Sequence, residues 1–251
     1  MSRFKRICGV VGVLLFVAAA AMAGPVDLND PAFADFNRIL FVKAEQGGNH
    51  MVDQYFGYTA HIYSGNGLFI LENAFRGTSS LTNLLAGQTV QNGVYQGQQL
   101  TGGGFLSPAL NYEGDTILFC WTAGSTSVAW NQSTTYHIFK CNLDGSNLRE
   151  LTSGTKNDIH PAWLPDGNII FISERRGGDG RCHQRVCPTF SMHTMDANGD
   201  NIRCVSYHET NEWWPAVDHN GMIVYTRWDY VDRGATHTHS AWITKPDGHN
   251  A

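Results

Sequence analysis

Charge is scarce in this chain: Asp, Glu, Lys and Arg make up 16% of its 251 residues, and the formal net charge is −5. A mildly acidic, charge-poor surface excludes nucleic acid and anionic membranes as principal partners. Gly-rich phosphate loops, a Ser nucleophile elbow and a His-Glu-x-x-His pair are all missing, so no catalytic residue can be named. Cys-x-x-Cys-His is also missing, which excludes c-type haem attachment and leaves no cofactor assigned to these residues. After the first two dozen residues no run is apolar enough to span a bilayer. What is abundant is Gly, Asn, Thr and aromatic residues, the composition of strands and tight turns.

The start has a different logic. Arg3, Lys5 and Arg6 precede an uncharged apolar run from Ile7 to Ala20, and Ala21-Met22-Ala23 offers a small-x-small cleavage site. This predicts a secretory signal peptide over residues 1–23 and a periplasmic or secreted mature chain with no membrane span. Cys8 leaves with the peptide. Cys120, Cys141, Cys182, Cys187 and Cys204 remain, an odd number in a compartment that permits disulfides.

The mature part is repetitive. Pro108-Ala109, Pro161-Ala162 and Pro215-Ala216 are each followed, after four intervening residues, by a glycine, and Gly114, Gly167 and Gly221 are 53 and 54 residues apart. Each glycine opens a β-rich run: Thr116 to Trp121, Asn168 to Ser173 and Met222 to Arg227. A second turn, at Asp144-Gly145, Asn198-Gly199 and Asp247-Gly248, follows another short strand in each unit. The unit therefore reads strand, turn, strand, variable connection, strand, turn, strand, which is a four-stranded antiparallel blade. One blade cannot bury its own faces, so blades must stack around an axis.

The predicted fold is all-β: a β-propeller domain over residues 24–251, with clear blades at about 105–153, 159–207 and 213–251 and a divergent first blade at about 36–88. Arg38 to Lys43, Leu68 to Leu71 and Leu81 to Leu85 supply the strands of that first blade, and Thr89 to Gly104 reads as a long connecting loop. The third clear blade stops after its second turn, at Ala251. Four blades with the last one truncated close poorly. The expectation is a portion of a longer propeller, or closure of the last sheet by an N-terminal strand such as Arg38 to Lys43.

The segments His160-Pro161-Ala162-Trp163-Leu164-Pro165-Asp166-Gly167, Ile170-Phe171-Ile172-Ser173-Glu174-Arg175-Arg176 and Met195-Asp196-Ala197-Asn198-Gly199 resemble the TolB-like, WD-type propeller repeat of bacterial periplasmic proteins. A second resemblance rests on His50-Met51-Val52-Asp53-Gln54-Tyr55, Gly104 to Pro108, Ser206 to Trp213 and Tyr225 to Arg233. These look like the propeller region of the hydrazine synthase alpha subunit and its planctomycete-type relatives, from about Ile39 to Gly248. In that enzyme haem domains join nitric oxide and ammonia. The resemblance places such domains outside this propeller, so it implies the scaffold and not the reaction.

Several clusters are candidates for binding. Cys182-His183-Gln184-Arg185-Val186-Cys187 has ligands for a metal ion, with His193 in reach as a further one. Cys182, Cys187 and Cys204 are equally candidates for a loop-stapling disulfide, or for free thiols. Cys120 and Cys141, on adjacent strands, read as a cross-strand pair or as small buried hydrophobes. His208, Glu209 and Glu212 lie between two blades, where they can bind a cation or simply form a hydrogen-bonded corner. Arg227, Trp228, Asp229 and Asp232 form a partner hot spot or an inter-blade ion-pair network. His237 and His239 share a strand face, and His50, Asp53 and Tyr55 make a polar cluster expected near the axis. The leading expectation is a non-enzymatic scaffold that binds a protein partner or small ligand at the axial mouth. The alternatives are the propeller part of a hydrazine-synthase-like multihaem oxidoreductase, and a metal-binding module.

Overall fold

The computed structural model describes residues 37–43, 67–74, 78–123, 135–180, 187–229 and 239–251, without the side chains at 179–188. Every element among them is a strand. The first sheet holds β1 (Arg38–Lys43), β2 (Gly67–Glu72) and β3 (Ser80–Asn83) in that order. The second holds β4 (Gly104–Leu110), β5 (Thr116–Thr122), β6 (His137–Asn142) and β7 (Arg149–Glu150). The third holds β8 (Asp158–Trp163) and β9 (Ile169–Ser173). A two-residue ladder follows, β10 (Asp179–Gly180) with β11 (Cys187–Pro188), and then the third sheet resumes with β12 (Ser191–Met195) and β13 (Arg203–Cys204). The fourth holds β14 (Glu212–Val217), β15 (Ile223–Trp228) and β16 (His239–Thr244). All pairings are antiparallel, so the chain is an incomplete β-propeller.

Neighbouring blades pack through their inner strands, β4 on β8 and β8 on β14, while β1 and β2 lie against β4. This packing explains the sequence of the central strands. In β5, Leu118 and Cys120 face the core shared with blades three and four, and Ile117, Phe119 and Trp121 face the core shared with blade one. With both faces covered, β5 from Ile117 onward and all of β9 are buried end to end, the pattern of a strand with no wet side. β15 alternates instead, with Val224 exposed between buried Ile223 and Tyr225.

The inner strands share a device. The register of β4, β8 and β14 slips between Leu106 and Ala109, Ile159 and Ala162, and Trp213 and Ala216. In each slip the residue before proline has positive φ: Ser107 at 51°, His160 at 53° and Trp214 at 55°. Proline lacks an N–H, so it suits a place where the ladder is broken, and the repeated Pro-Ala pair marks the bulge.

The second turn of each unit locks it to the blade before. A Cβ on Gly145, Gly199 or Gly248 would overlap the carbonyl oxygen of Leu84, Leu151 or Val205, and each of these glycines has φ between 82° and 90°. Leu84 thus takes the place of Leu151 and Val205, which makes β1–β3 the counterparts of the outer three strands of the complete blades.

One expectation changes. β1 pairs with β2 in the first sheet and does not complete the last one, because six consecutive partners from Arg38↔Glu72 to Lys43↔Gly67 satisfy it there. Among the described elements, β1–β3 have no contact with β14–β16, so the described strands form an open arc. The segment after Leu85 is the connecting loop the sequence predicts, with no strand between Asn83 and Gly104, and its backbone is anchored. Asn92 and Glu150 exchange hydrogen bonds at 2.9 Å in both directions, and Glu150 Oε2 accepts from Val94 N at 2.6 Å and Tyr95 N at 3.2 Å. It covers the outer edge of blade two, which would otherwise be an open ladder.

Candidate functional site

Strand direction sorts the chain's chemistry onto two rims. On one rim lie the glycine turns, closed by short backbone bonds such as Leu164 N to Asn168 O and Asp196 N to Asp200 O. On the other lie the starts of the inner strands, the ends of the second strands, the starts of the third strands, and the links from one blade to the next. Of the four buried carboxylates among the described residues, Asp158, Glu174 and Glu212 lie on this second rim.

The corner between blades two and three begins at Asn157-Asp158. Asn157 Oδ1 accepts from Tyr136 N at 2.8 Å, and Glu174 Oε1 accepts from Asn157 N at 2.8 Å and Nδ2 at 3.1 Å. Asp158 is fully buried. It accepts from Ser173 Oγ at 2.7 Å, Arg175 Nε at 2.8 Å and Arg175 Nη2 at 2.6 Å, with His137 Nδ1 at 3.6 Å. Burial alone would raise its carboxyl, but His137, Arg175 and Ser173 together hold it below the usual carboxylate range.

The corner between blades three and four repeats the plan with other residues. Asn211 Oδ1 accepts from Phe190 N at 2.7 Å. Glu212 is buried and accepts from Met192 N at 3.1 Å and Ser206 Oγ at 2.6 Å. Among the described residues no guanidinium hydrogen-bonds to it, and burial pushes its carboxyl up against the opposing pull of Ser206, Met192 and Arg227. Beside it the sequence-predicted residues converge. His208 Nε2 is 3.1 Å from Trp228 O and 3.4 Å from Asp229 Oδ1, and Arg227 Nε donates to the same Asp229 oxygen at 2.9 Å. Thr210 Oγ1 bonds both His208 and the Trp228 carbonyl. Burial lowers His208 first, and Arg227 adds to the effect. Arg227 also lies 3.4 Å over the Trp242 ring, a cation–π contact. Arg176, from blade three, donates to the His208 carbonyl at 2.8 Å and ties the two blades together.

The structure therefore unites His208, Glu212, Arg227, Trp228 and Asp229, while Glu209 is exposed beside them. His239 stacks on Trp228, its ring 5.8 Å away at 3°. Cys204 carries a free thiol that donates to Ser206 O at 2.9 Å. Cys120 and Cys141 are free and buried. They belong to different faces, with Cys120 opposite Ile138 and Cys141 opposite Ile117, so they form no cross-strand pair. His193, the possible further metal ligand, holds Ser191 O at 2.9 Å. His50, Asp53, Tyr55, Cys182, His183, Asp232 and His237 lie outside the described residues, as does the side chain of Cys187.

Sequence reasoning missed Asp158 and Arg175, although an acid three residues before proline in two of three repeats was a readable sign. It also missed the inner-strand stack. The bulge residues His160 and Trp214, from adjacent blades, lie with ring centroids 3.8 Å apart at 19°. Trp214 is half exposed, and burial holds the His160 imidazole neutral with a pKa of about 3. The rim thus offers fixed charges, backbone carbonyls and a stacked aromatic face, the parts of a recognition surface.

No known family profile matches this chain. A curated relative, dipeptidyl-peptidase 5 from Porphyromonas gingivalis, is 30% identical over 99 residues, covering 37% of this chain and 14% of the peptidase. Among solved structures, hydrazine synthase from Kuenenia stuttgartiensis superposes with a TM-score of 0.57 at 14% identity, over 84% of this chain and 31% of that one. A putative TolB from Agrobacterium tumefaciens gives a TM-score of 0.48 at 15% identity, over 74% of this chain and 55% of that one. The chain spans less than two thirds of each of these proteins. The likeness to the hydrazine synthase structure shows a shared fold.

Proposed function

We propose that the chain is an exported, non-enzymatic binding module that docks a protein partner or small ligand over the rim bearing its inter-blade corners. The observation that carries this reading is the asymmetry of the rims. One is sealed by glycine turns. The other presents His208, Arg227 and Asp229, the Arg176 link and the half-exposed Trp214 on a buried, rigid frame. Buried charge held by this many hydrogen bonds costs stability to assemble, and presenting preorganised polar groups is what such a frame is suited to do. On this reading the chain is the scaffold of a hydrazine-synthase-alpha-like propeller, binds no haem itself, and works in the periplasm.

Two exposed tyrosines test it. Tyr207 lies on the charged rim next to Arg176, and Tyr112 lies in a glycine turn on the other. A photo-crosslinking residue at Tyr207, in the native host, is expected to give a discrete adduct that disappears when residues 1–23 are deleted. The same residue at Tyr112 is expected to give none. Adducts of equal yield from both positions, or from Tyr112 alone, overturn the proposal.

A further inference from the structure

The corner between blades three and four carries donors that its sister corner pairs and it does not. Between blades two and three, Asn157 Oδ1 accepts from Tyr136 N, and Asn157 Nδ2 donates to Glu174 Oε1 at 3.1 Å. Asn211, 54 residues on, repeats half of this plan. Its Oδ1 accepts from Phe190 N at 2.7 Å, and its carbonyl accepts from Trp228 N at 2.9 Å, as that of Asn157 does from Glu174 N at 3.3 Å. Trp228 therefore stands at the register of Glu174, and an indole replaces the carboxylate. Among the described residues Asn211 Nδ2 is left with no acceptor, in a residue that is 0% exposed. In the same interface lie Arg176, which donates to His208 O, and Trp242, the ring beneath Arg227; Arg176 Nε and Trp242 Nε1 are likewise buried without an acceptor. A buried donor left unpaired bears the full cost of its lost hydration, so three in one interface call for an acceptor from elsewhere.

We propose, resting on the rim-docking reading above, that this corner takes a carboxylate group in the grip of the terminal nitrogens of Arg227. The guanidinium is already held for the task. Its Nε is committed to Asp229 Oδ1 at 2.9 Å, its plane lies 3.4 Å over the Trp242 ring, and the Tyr225 hydroxyl stands beside it. Among the described residues Nη1 and Nη2 meet no carboxylate or carbonyl, and the side chain keeps 19% of its surface in solvent. Two N–H groups fixed in one plane match the two oxygens of a carboxylate. Charge agrees with this choice. Arg176 and Arg227 bring two positive charges against one negative from Asp229, and burial disfavours the charged forms of His208 and Glu212. Glu209 is exposed, where water screens it. A monoanion fits that balance better than a dianion. The carboxylate can belong to a small organic acid or to an acidic side chain of a peptide.

The test is an NMR titration of the isotope-labelled mature chain at constant ionic strength, with sodium chloride as the control. Sodium acetate probes the small acid, and acetyl-aspartyl-amide probes the peptide side chain. The readout is the side-chain N–H signals of Asn211, Arg176 and Arg227, which a merely structural corner would leave in place. The acids are expected to shift these signals to saturation and chloride is not, and the tighter acid gives the source of the group. Arg227→Gln, checked as folded by its near-UV spectrum, is expected to weaken binding by about tenfold or more, the worth of a charge-assisted pair. Trp228→Glu restores the carboxylate of the sister corner and is expected to abolish the response by filling the site from within; if it does not fold, Arg227→Gln decides alone. No saturation with either acid, an equal response to chloride, or a wild-type response in Arg227→Gln each overturns the site. The Tyr207 crosslink keeps the two readings apart. An adduct without an acid response overturns the carboxylate site and leaves rim docking standing, and an acid response without an adduct does the reverse.

Discussion

His160 is an imidazole placed where it cannot hold a proton. Burial takes its pKa from 6.5 to about 3, and its ring is stacked on Trp214. The unfolded chain therefore binds a proton at this residue before the folded chain does. Its contribution to stability is complete above 6.5 and is lost as pH falls from there toward 3. Glu212 runs the other way: with its carboxyl raised, its contribution is complete at acid pH and fades as pH rises through the folded value. His160→Asn keeps a residue that tolerates positive φ but cannot titrate. The variant is expected to be less stable near neutrality, since the stack is lost. Its urea midpoint should then fall less steeply than that of wild type between about pH 7 and about pH 4. Parallel slopes in the two proteins would show that acid acts elsewhere.

Glycines at the element scale fall into two classes that sequence alone does not separate. Gly167, in the turn between β8 and β9, has φ of 86° and open space where a Cβ would go. Gly199 has φ of 90° and the Leu151 carbonyl in that space. Gly167→Ala is expected to cost about 1–2 kcal/mol for a left-handed alanine. Gly199→Ala should add about 1–3 kcal/mol of overpacking to that, because the blade must lift from its neighbour. Equal losses in chemical denaturation would mean that the turn carries no inter-blade contact. Both turns were legible from composition, because positive φ restricts the choice of residue. The second strand of each blade was legible from its apolar run. The bulges were not, since a histidine or tryptophan with φ near 55° looks like any strand residue. Of the two places the sequence allowed β1, its pairing with Gly67–Glu72 selects the first blade. Of the rim, the dense run Arg227-Trp228-Asp229 announced itself, whereas Asp158 and Arg175 look like ordinary strand ends until the fold joins them.

As a whole molecule the arc has a stable middle and two ends of lower stability. Blades two and three are covered on both sides, and Leu118, Phe119, Ile170 and Phe171 are fully buried. Among the described residues, blades one and four have one packed face each, and β3 is exposed along its length. Local opening at an end breaks one interface, whereas opening in the middle breaks two, so hydrogen exchange should grade along the arc. Amides of β5 and β9 are expected to exchange only through global unfolding. Those of β3 and β16 should exchange faster, by about tenfold for each 1.4 kcal/mol separating local from global opening. Flat protection across the arc at high dilution would mean that the ends are held by something other than packing between blades.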